Sequence, residues 1–115
     1  MIHEARRSPR RQPAASIPVT DFMAEAAIGR LGNVSETGML LLASAPLVED
    51  ALYQLSFALP DRHGRDHPLA IGVHLLWVEE AHAPGQRWAG FRFLTISDEH
   101  RERLKEWIAE AHMVA

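Results

Sequence analysis

Four arginines near the N-terminus are the strongest candidates for ligand chemistry: Arg6, Arg7, Arg10 and Arg11. Three residues separate Arg6 from Arg10, and three separate Arg7 from Arg11. A guanidinium is always charged, and its planar fork of donors matches phosphate oxygens as well as the O6/N7 edge of guanine. The spacing therefore predicts a pair of guanidinium groups that grip a small anion, in either of two frames. The alternative interpretation is a solvated basic tail.

The charge distribution favours a small anion over a long polyanion. Residues 1–12 contain four arginines and one glutamate, whereas the other 103 residues contain 8 basic and 14 acidic side chains. A protein that coats long nucleic acid needs a broad basic surface, and this chain has a net charge of −3. We therefore expect no long nucleic acid as the partner of these arginines.

A second polar motif follows at Asn33-Val34-Ser35-Glu36-Thr37-Gly38. If residues 33–35 end a strand, Asn33 and Ser35 project from one face and Val34 from the other. Two short polar side chains on one face can hydrogen-bond a base edge or a phosphate, and Gly38 permits a tight turn or a close backbone approach. The alternative is an ordinary turn, for which this composition is common.

Other sites with sharper chemistry are not expected. The chain has no cysteine and no GxxxxGK[ST] phosphate loop, and Ser35 lacks the glycine spacing of a nucleophile elbow. His63 and His67 lie near aspartates, but Gly64 and Pro68 disfavour the helix that would bring the two imidazoles together. A small esterase or nuclease is the third possibility, but the sequence offers no credible set of nucleophile, base and orienting group, so we predict no enzyme activity, no metal and no cofactor.

The length and composition predict one globular domain preceded by a short arm. The 115 residues suffice for a single core, and 47% of them are apolar. Residues 1–13 are arginine- and proline-rich and are predicted to form a flexible ligand-binding arm, with a single domain over 14–115. No apolar segment is long enough for a signal peptide core or a membrane span, so we expect a cytoplasmic protein without membrane insertion.

The domain is predicted to be mainly β, a six-stranded antiparallel β-barrel with a C-terminal α-helix packed against it. The clearest period-two pattern places Tyr53, Leu55, Phe57 and Leu59 on one face. Trp77 is in phase with core positions and is interpreted as a packing residue, with base stacking as the alternative if it lies near the rim. The expected strands cover residues 17–23, 26–34, 39–43 (buried on both faces), 51–59, 68–80 and 87–94, and the helix covers residues 98–112, capped by Ser97 or Asp98.

Taken in order, these motifs resemble a known family. Arg6-Arg7-Ser8-Pro9-Arg10, then 22 residues, then Asn33-Val34-Ser35-Glu36-Thr37-Gly38 is similar to the RxxxR and [D/N]xSxxG motif pair of PilZ domains. The likeness covers nearly the whole chain. The strand ending in Leu59-Pro60 resembles the central strand of the family. The C-terminal part of the family's domain is similar to the segment Trp88-Ala89-Gly90-Phe91-Arg92-Phe93 together with the helix that follows it.

The resemblance implies a receptor for the bacterial second messenger cyclic di-GMP, which family members often bind as an intercalated dimer. By position, Arg6 and Arg10 would grip phosphates and guanine edges, Asn33 and Ser35 would bond guanine, and Gly38 would leave room for the turn. Arg7 and Arg11 satisfy the same spacing, although the proline before Arg10 resembles the family's usual register. Asn33 stands where aspartate is commoner.

The resemblance also implies the output. We expect the arm to order when its guanidinium groups close over the phosphates, which changes a surface read by an unidentified downstream protein in motility or biofilm control. The alternative is a PilZ-like module that docks a pilus or motility partner without binding the nucleotide.

Overall fold

The structure is a computed structural model and describes residues 9–111. The described residues form six antiparallel strands that close into a barrel, as the sequence predicts. The order of the strands around the barrel is β1-β2-β3-β6-β5-β4. One helix follows the last strand. The elements are β1 (Pro18–Asp21), β2 (Ala26–Val34), β3 (Gly38–Ala43), β4 (Leu52–Pro60), β5 (Asp66–Glu80), β6 (Arg87–Ile96) and α1 (Asp98–Ala111).

The barrel interior is filled by alternate residues of each strand. Leu55, Phe57 and Leu59 of β4 are buried, and Tyr53 packs against them from a half-buried position, so the predicted inward face is confirmed. The rings of Tyr53 and of Phe91 from β6 meet in a T-shaped arrangement, with 6.2 Å between the ring centroids. The remaining core residues come from every strand and from α1.

Two predictions about burial are wrong. β3 is not buried on both faces, because Met39 and Leu41 point into the barrel whereas Leu40 and Leu42 lie half-buried on its outer face. Trp77 is 40% exposed rather than packed in the core. A β-bulge between Leu75 and Trp77 shifts the register of β5 against β6, so Trp77 loses the inward phase of the residues before it.

The C-terminal helix begins as its sequence predicts. The Ser97 hydroxyl accepts a hydrogen bond from the backbone N–H of His100 at 3.1 Å, which caps the first turn. The face of α1 that meets the barrel buries Leu104, Trp107 and Ile108. In the described part of the chain, no helix is long and apolar enough to span a membrane.

The loop between β4 and β5 is organised by the carboxylate of Asp61. It accepts hydrogen bonds from the backbone N–H groups of His63 and Arg65 and pairs with the His67 side chain at 2.8 Å. The His67 bond, followed by the Arg65 backbone bond, holds the pKa of Asp61 well below its ordinary value. Asp61 is therefore a structural acceptor.

An Asp61→Asn variant should unfold at a lower temperature than the native chain at neutral pH. A depressed carboxyl pKa stabilises the folded state above the ordinary aspartate pKa of about 4, and this contribution is lost as the pH falls towards the folded value. Thermal unfolding followed by circular dichroism should therefore show a difference at pH 7 that narrows below about pH 4. An equal difference at both pH values would contradict this role.

Candidate functional site

The N-terminal segment is joined to β2 at one residue pair. The backbone N–H of Arg11 donates to the carbonyl of Val34 at 2.9 Å, and the N–H of Val34 donates back to Arg11 at 3.0 Å. Residues opposite one another in an antiparallel pair share a face, and their chain neighbours take the other face. Since Val34 is fully buried, Arg11 lies on the inner side and Arg10 on the outer side.

Arg10 reaches both polar residues of the second motif. Its Nε donates to Asn33 Oδ1 at 2.6 Å, and its Nη1 donates to Ser35 Oγ at 3.4 Å. Asn33 and Ser35 therefore share a face, as the sequence predicts. The amide oxygen of Asn33 orients the guanidinium, while the amide N–H groups of Asn33 are not used by this bond.

Ser35 is the hub of the β2–β3 turn and is only 1% exposed. Its Oγ accepts hydrogen bonds from the backbone N–H groups of Thr37 and Gly38, each at 3.2 Å. The Ser35 backbone N–H donates to the Gly38 carbonyl at 2.8 Å. The hydroxyl thus stabilises the turn and accepts a hydrogen bond from Arg10. A direct bond from Ser35 to a ligand stays a prediction.

Gly38 is required by the close approach of β3 and β6. A Cβ atom on Gly38 would lie 2.5 Å from the carbonyl oxygen of Phe91, well inside van der Waals contact. Gly38 pairs in register with Arg92, so the glycine places the turn of the motif directly beside an exposed arginine of β6.

Arg11 is bound to the C-terminal helix. Its guanidinium lies 4.0 Å from the centroid of the Trp107 ring, donates to the Trp107 carbonyl at 2.5 Å and pairs with Glu110 at 3.5 Å. The last turn of α1 has no basic residue of its own. Arg11 therefore supplies the positive charge that a helix C-terminus favours.

A surface groove of about 470 Å³ lies beside Arg10 on the outer wall of the barrel. Arg10 and Arg92 contribute guanidinium groups to its lining, and none of the described lining residues is acidic. Arg10 and Arg92 are both exposed. The groove is therefore suited to an anion, with the remaining lining supplied by Asn33, Thr37, Gly38, Met39, Leu40, Leu76, Trp77, Gly90 and Phe91.

The structure brings together four of the predicted site residues: Arg10, Asn33, Ser35 and Gly38. The side chain of Arg11 points away from them and contacts α1, and Arg6 and Arg7 lie outside the described residues. Sequence reasoning missed Arg92. The sequence signal for Arg92 was its place between Phe91 and Phe93. Alternation along a strand then predicts that Arg92 points outward, but it does not indicate which residues lie beside it.

The histidines do not form a metal centre within residues 9–111, where no three potential ligands cluster. His67 bonds Asp61, and His74 bonds Asp50 at 2.6 Å, so two of the histidines are used in structural contacts.

The chain matches a known protein family. A family model of the PilZ domain covers residues 4–110. No curated protein matches the chain.

Solved structures share the fold. The Bacillus subtilis inhibitor of motility MotI/DgrA is similar with a TM-score of 0.74 at 11% identity, over 92% of this chain and 50% of that one. Escherichia coli YcgR in complex with c-di-GMP is similar with a TM-score of 0.69 at 22% identity, over 92% of this chain and 45% of that one. The PilZ domain of Escherichia coli YcgR with c-di-GMP is similar with a TM-score of 0.66 at 20% identity, over 92% of this chain and 93% of that one. The chain thus spans about half the length of the first two proteins.

Proposed function

The chain belongs to the PilZ domain family, and on that premise we propose that it is a non-enzymatic receptor that binds cyclic di-GMP in the groove beside Arg10. One observation carries the proposal. The second arginine of the RxxxR motif and the polar residues of the NxSxxG motif, 23 and 25 positions away, meet through hydrogen bonds at a groove without acidic lining residues.

The chemistry of the groove fits a cyclic dinucleotide. Each cyclic di-GMP carries two negative charges, which the guanidinium groups of Arg10 and Arg92 complement. The amide of Asn33 can donate to a guanine acceptor while its oxygen keeps Arg10 in place. Arg6 is proposed to join Arg10 on the phosphates, because it has the RxxxR spacing.

The proposed output is a change of surface rather than a reaction. Arg10 and Arg11 are bonded to the barrel and the helix without ligand, so the proposed change lies in the residues before them. Contacts of Arg6 with the phosphates would hold those residues against the barrel when the nucleotide arrives, and a downstream protein would read the new surface. The bacterial cytoplasmic location, the intercalated ligand dimer and a role in motility or biofilm control stay predictions.

Calorimetric titration tests the proposal. Cyclic di-GMP should bind with a Kd in the micromolar range or tighter, which corresponds to about −8 kcal/mol or more. GMP at an equal guanine concentration is the matched control and should bind far more weakly, because it offers one phosphate and one base. Absence of heat with cyclic di-GMP at high concentration would defeat the proposal.

One observation favours the alternative, a docking module that does not bind nucleotide. Phe22, Met23, Val48 and Leu52 are 63–76% exposed, and Met23 and Leu52 line the same shallow pocket. Large apolar side chains exposed together are typical of protein contact sites. The same titration decides between the two functions, since a pure docking module gives no heat with the nucleotide.

A further inference from the structure

Two loops display large apolar side chains at the end of β2 opposite the NxSxxG turn. One is the turn between β1 and β2, and the other joins β3 to β4. They lie side by side, because the backbone N–H that follows β1 donates to the Gln54 carbonyl of β4 at 2.7 Å. We call their exposed side chains the apolar patch, which consists of Phe22, Met23, Val48 and Leu52.

Hydrogen bonds fix the backbone under the apolar patch. The Asp21 carboxylate accepts from two backbone N–H groups of its own turn, at 3.0 and 3.3 Å. In the other loop, the N–H of Val48 donates to the Tyr53 hydroxyl at 2.9 Å, and the N–H of Asp50 donates to the Leu75 carbonyl at 2.9 Å. Apolar side chains on a fixed backbone lose less conformational freedom when a partner binds, so the patch is preorganised for contact.

The charges around the apolar patch have one sign. Residues 18–25 and 44–55, which carry the patch, contain no lysine, arginine or histidine, and their acidic residues are Asp21, Glu25, Glu49 and Asp50. Asp50 bonds His74 of β5 at 2.6 Å, whereas Glu25 and Glu49 take part in none of the ion pairs of residues 9–111. An apolar surface with an acidic border is complementary to an apolar surface with a basic border.

We propose that the apolar patch docks a basic amphipathic segment of a partner protein, in which lysines or arginines flank large apolar side chains. A shallow pocket of about 220 Å³ between Met23 and Leu52 receives one apolar side chain of that segment. The surrounding carboxylates pair with its cations at the edge of the contact. This inference goes beyond the proposed function, because docking at the patch requires no nucleotide.

The same charges disfavour two other occupants. A second copy of this chain, placed symmetrically on the patch, would bring two sets of carboxylates together, and like charges facing each other oppose association. An anionic lipid surface would repel the carboxylates as well. The acidic border therefore selects a cationic partner.

A synthetic amphipathic peptide of leucine and lysine, with the leucines at helical spacing, tests the proposal. Titrated without nucleotide, it should shift the backbone amide NMR signals of residues 20–25 and 47–53, and its affinity should fall as the ionic strength rises. A control peptide of the same pattern, with glutamate in place of lysine, should cause no shifts. Absence of shifts with the lysine peptide, or shifts confined to the acidic surface of α1, would overturn the proposal.

Two substitutions in the patch have matched controls elsewhere. Leu52→Ser and Glu49→Lys should each weaken binding of the lysine peptide by about fivefold or more. Leu94→Ser makes the same change at an exposed leucine of β6, and Glu106→Lys makes it at an exposed glutamate of α1. Both controls should keep the affinity within about twofold of the native value, since they lie outside the patch. Thermal unfolding checks that each variant is folded, and equal losses in patch and control variants would contradict the proposal.

Other results would assign the patch to a different occupant. A concentration-dependent dimer of the native chain that Leu52→Ser abolishes would indicate a second copy, and cosedimentation with phosphatidylglycerol vesicles that Leu52→Ser abolishes would indicate a lipid surface. Either result would overturn docking of a basic segment. Because these measurements contain no nucleotide, their failure leaves the receptor function intact, and absence of cyclic di-GMP binding leaves the docking surface intact.

Discussion

Arg10→Ala should weaken cyclic di-GMP binding by about a hundredfold, the largest effect on ligand affinity that we expect from one substitution. The Arg10 guanidinium sits on Asn33 and Ser35 at the edge of the groove, where charge-assisted bonds to a phosphate or guanine are strong. An arginine that anchors a ligand typically costs about 2 kcal/mol or more when it is truncated, and about 2.7 kcal/mol is a hundredfold. Calorimetry at fixed ionic strength measures the change.

Arg11→Ala is the matched control, because it removes the same charge from the neighbouring residue. Its contacts with Trp107 and Glu110 stabilise α1, so its loss should reduce the unfolding free energy by about 1–2 kcal/mol. Its Kd should remain within about threefold of the native value, since each site acts separately. The reverse pattern, with binding lost in Arg11→Ala and kept in Arg10→Ala, would assign the ligand to the Arg7/Arg11 frame.

Gly38→Ala should produce the largest loss of stability among the site variants. A Cβ atom on Gly38 would meet the Phe91 carbonyl oxygen, a backbone atom that can move only if β6 shifts away from β3. Overpacking of this kind costs about 2–3 kcal/mol, which corresponds to a fall of about 10 °C in the thermal unfolding midpoint. Chemical denaturation and thermal unfolding both measure it.

Gly64→Ala provides the comparison for Gly38→Ala. A Cβ atom on Gly64 meets no atom within 4 Å, but its φ of +81° strains any other residue. We expect a loss of about 1 kcal/mol and unchanged nucleotide binding. Gly38→Ala should also weaken binding, because the β2–β3 turn carries Ser35. If the two variants were equally stable, steric contact at Gly38 would not explain the glycine.

The strands were predictable because they alternate. Leu55, Phe57 and Leu59 mark the inner face of β4 without any knowledge of its neighbours, and the capping residue Ser97 marks the start of α1. The prediction that β3 is buried on both faces was wrong for a physical reason. Leu40 and Leu42 are apolar but lie on the outer wall, where neighbouring side chains half-cover them, and periodicity alone does not separate this from full burial.

Part of the site depended on information that is not local. The motif spacing correctly brought Arg10, Asn33 and Ser35 together. The face that each arginine takes depends on the pairing of Arg11 with Val34, which lies 23 residues away. A register shifted by one residue would exchange Arg10 and Arg11 between the groove and the helix.

Trp77 shows a different limit of sequence reasoning. Its phase with Ile71, Val73 and Leu75 indicated the core, and the bulge that reverses this direction leaves no mark in the apolar pattern. Gly90 was the available hint, because a glycine inside a strand often marks a close approach by another group.

The barrel is closed by its shortest strand. β1 has four residues and meets β4 only at Thr20 and Asp21, with one further bond from the Phe22 N–H to the Gln54 carbonyl, whereas β4 and β5 pair over the whole of Leu52–Pro60. Local opening costs least where the fewest hydrogen bonds must break together. In hydrogen–deuterium exchange, the backbone N–H groups of the β1–β4 junction should therefore exchange before those of the other strand pairs. The barrel can thus open locally between β1 and β4 and close again without global unfolding.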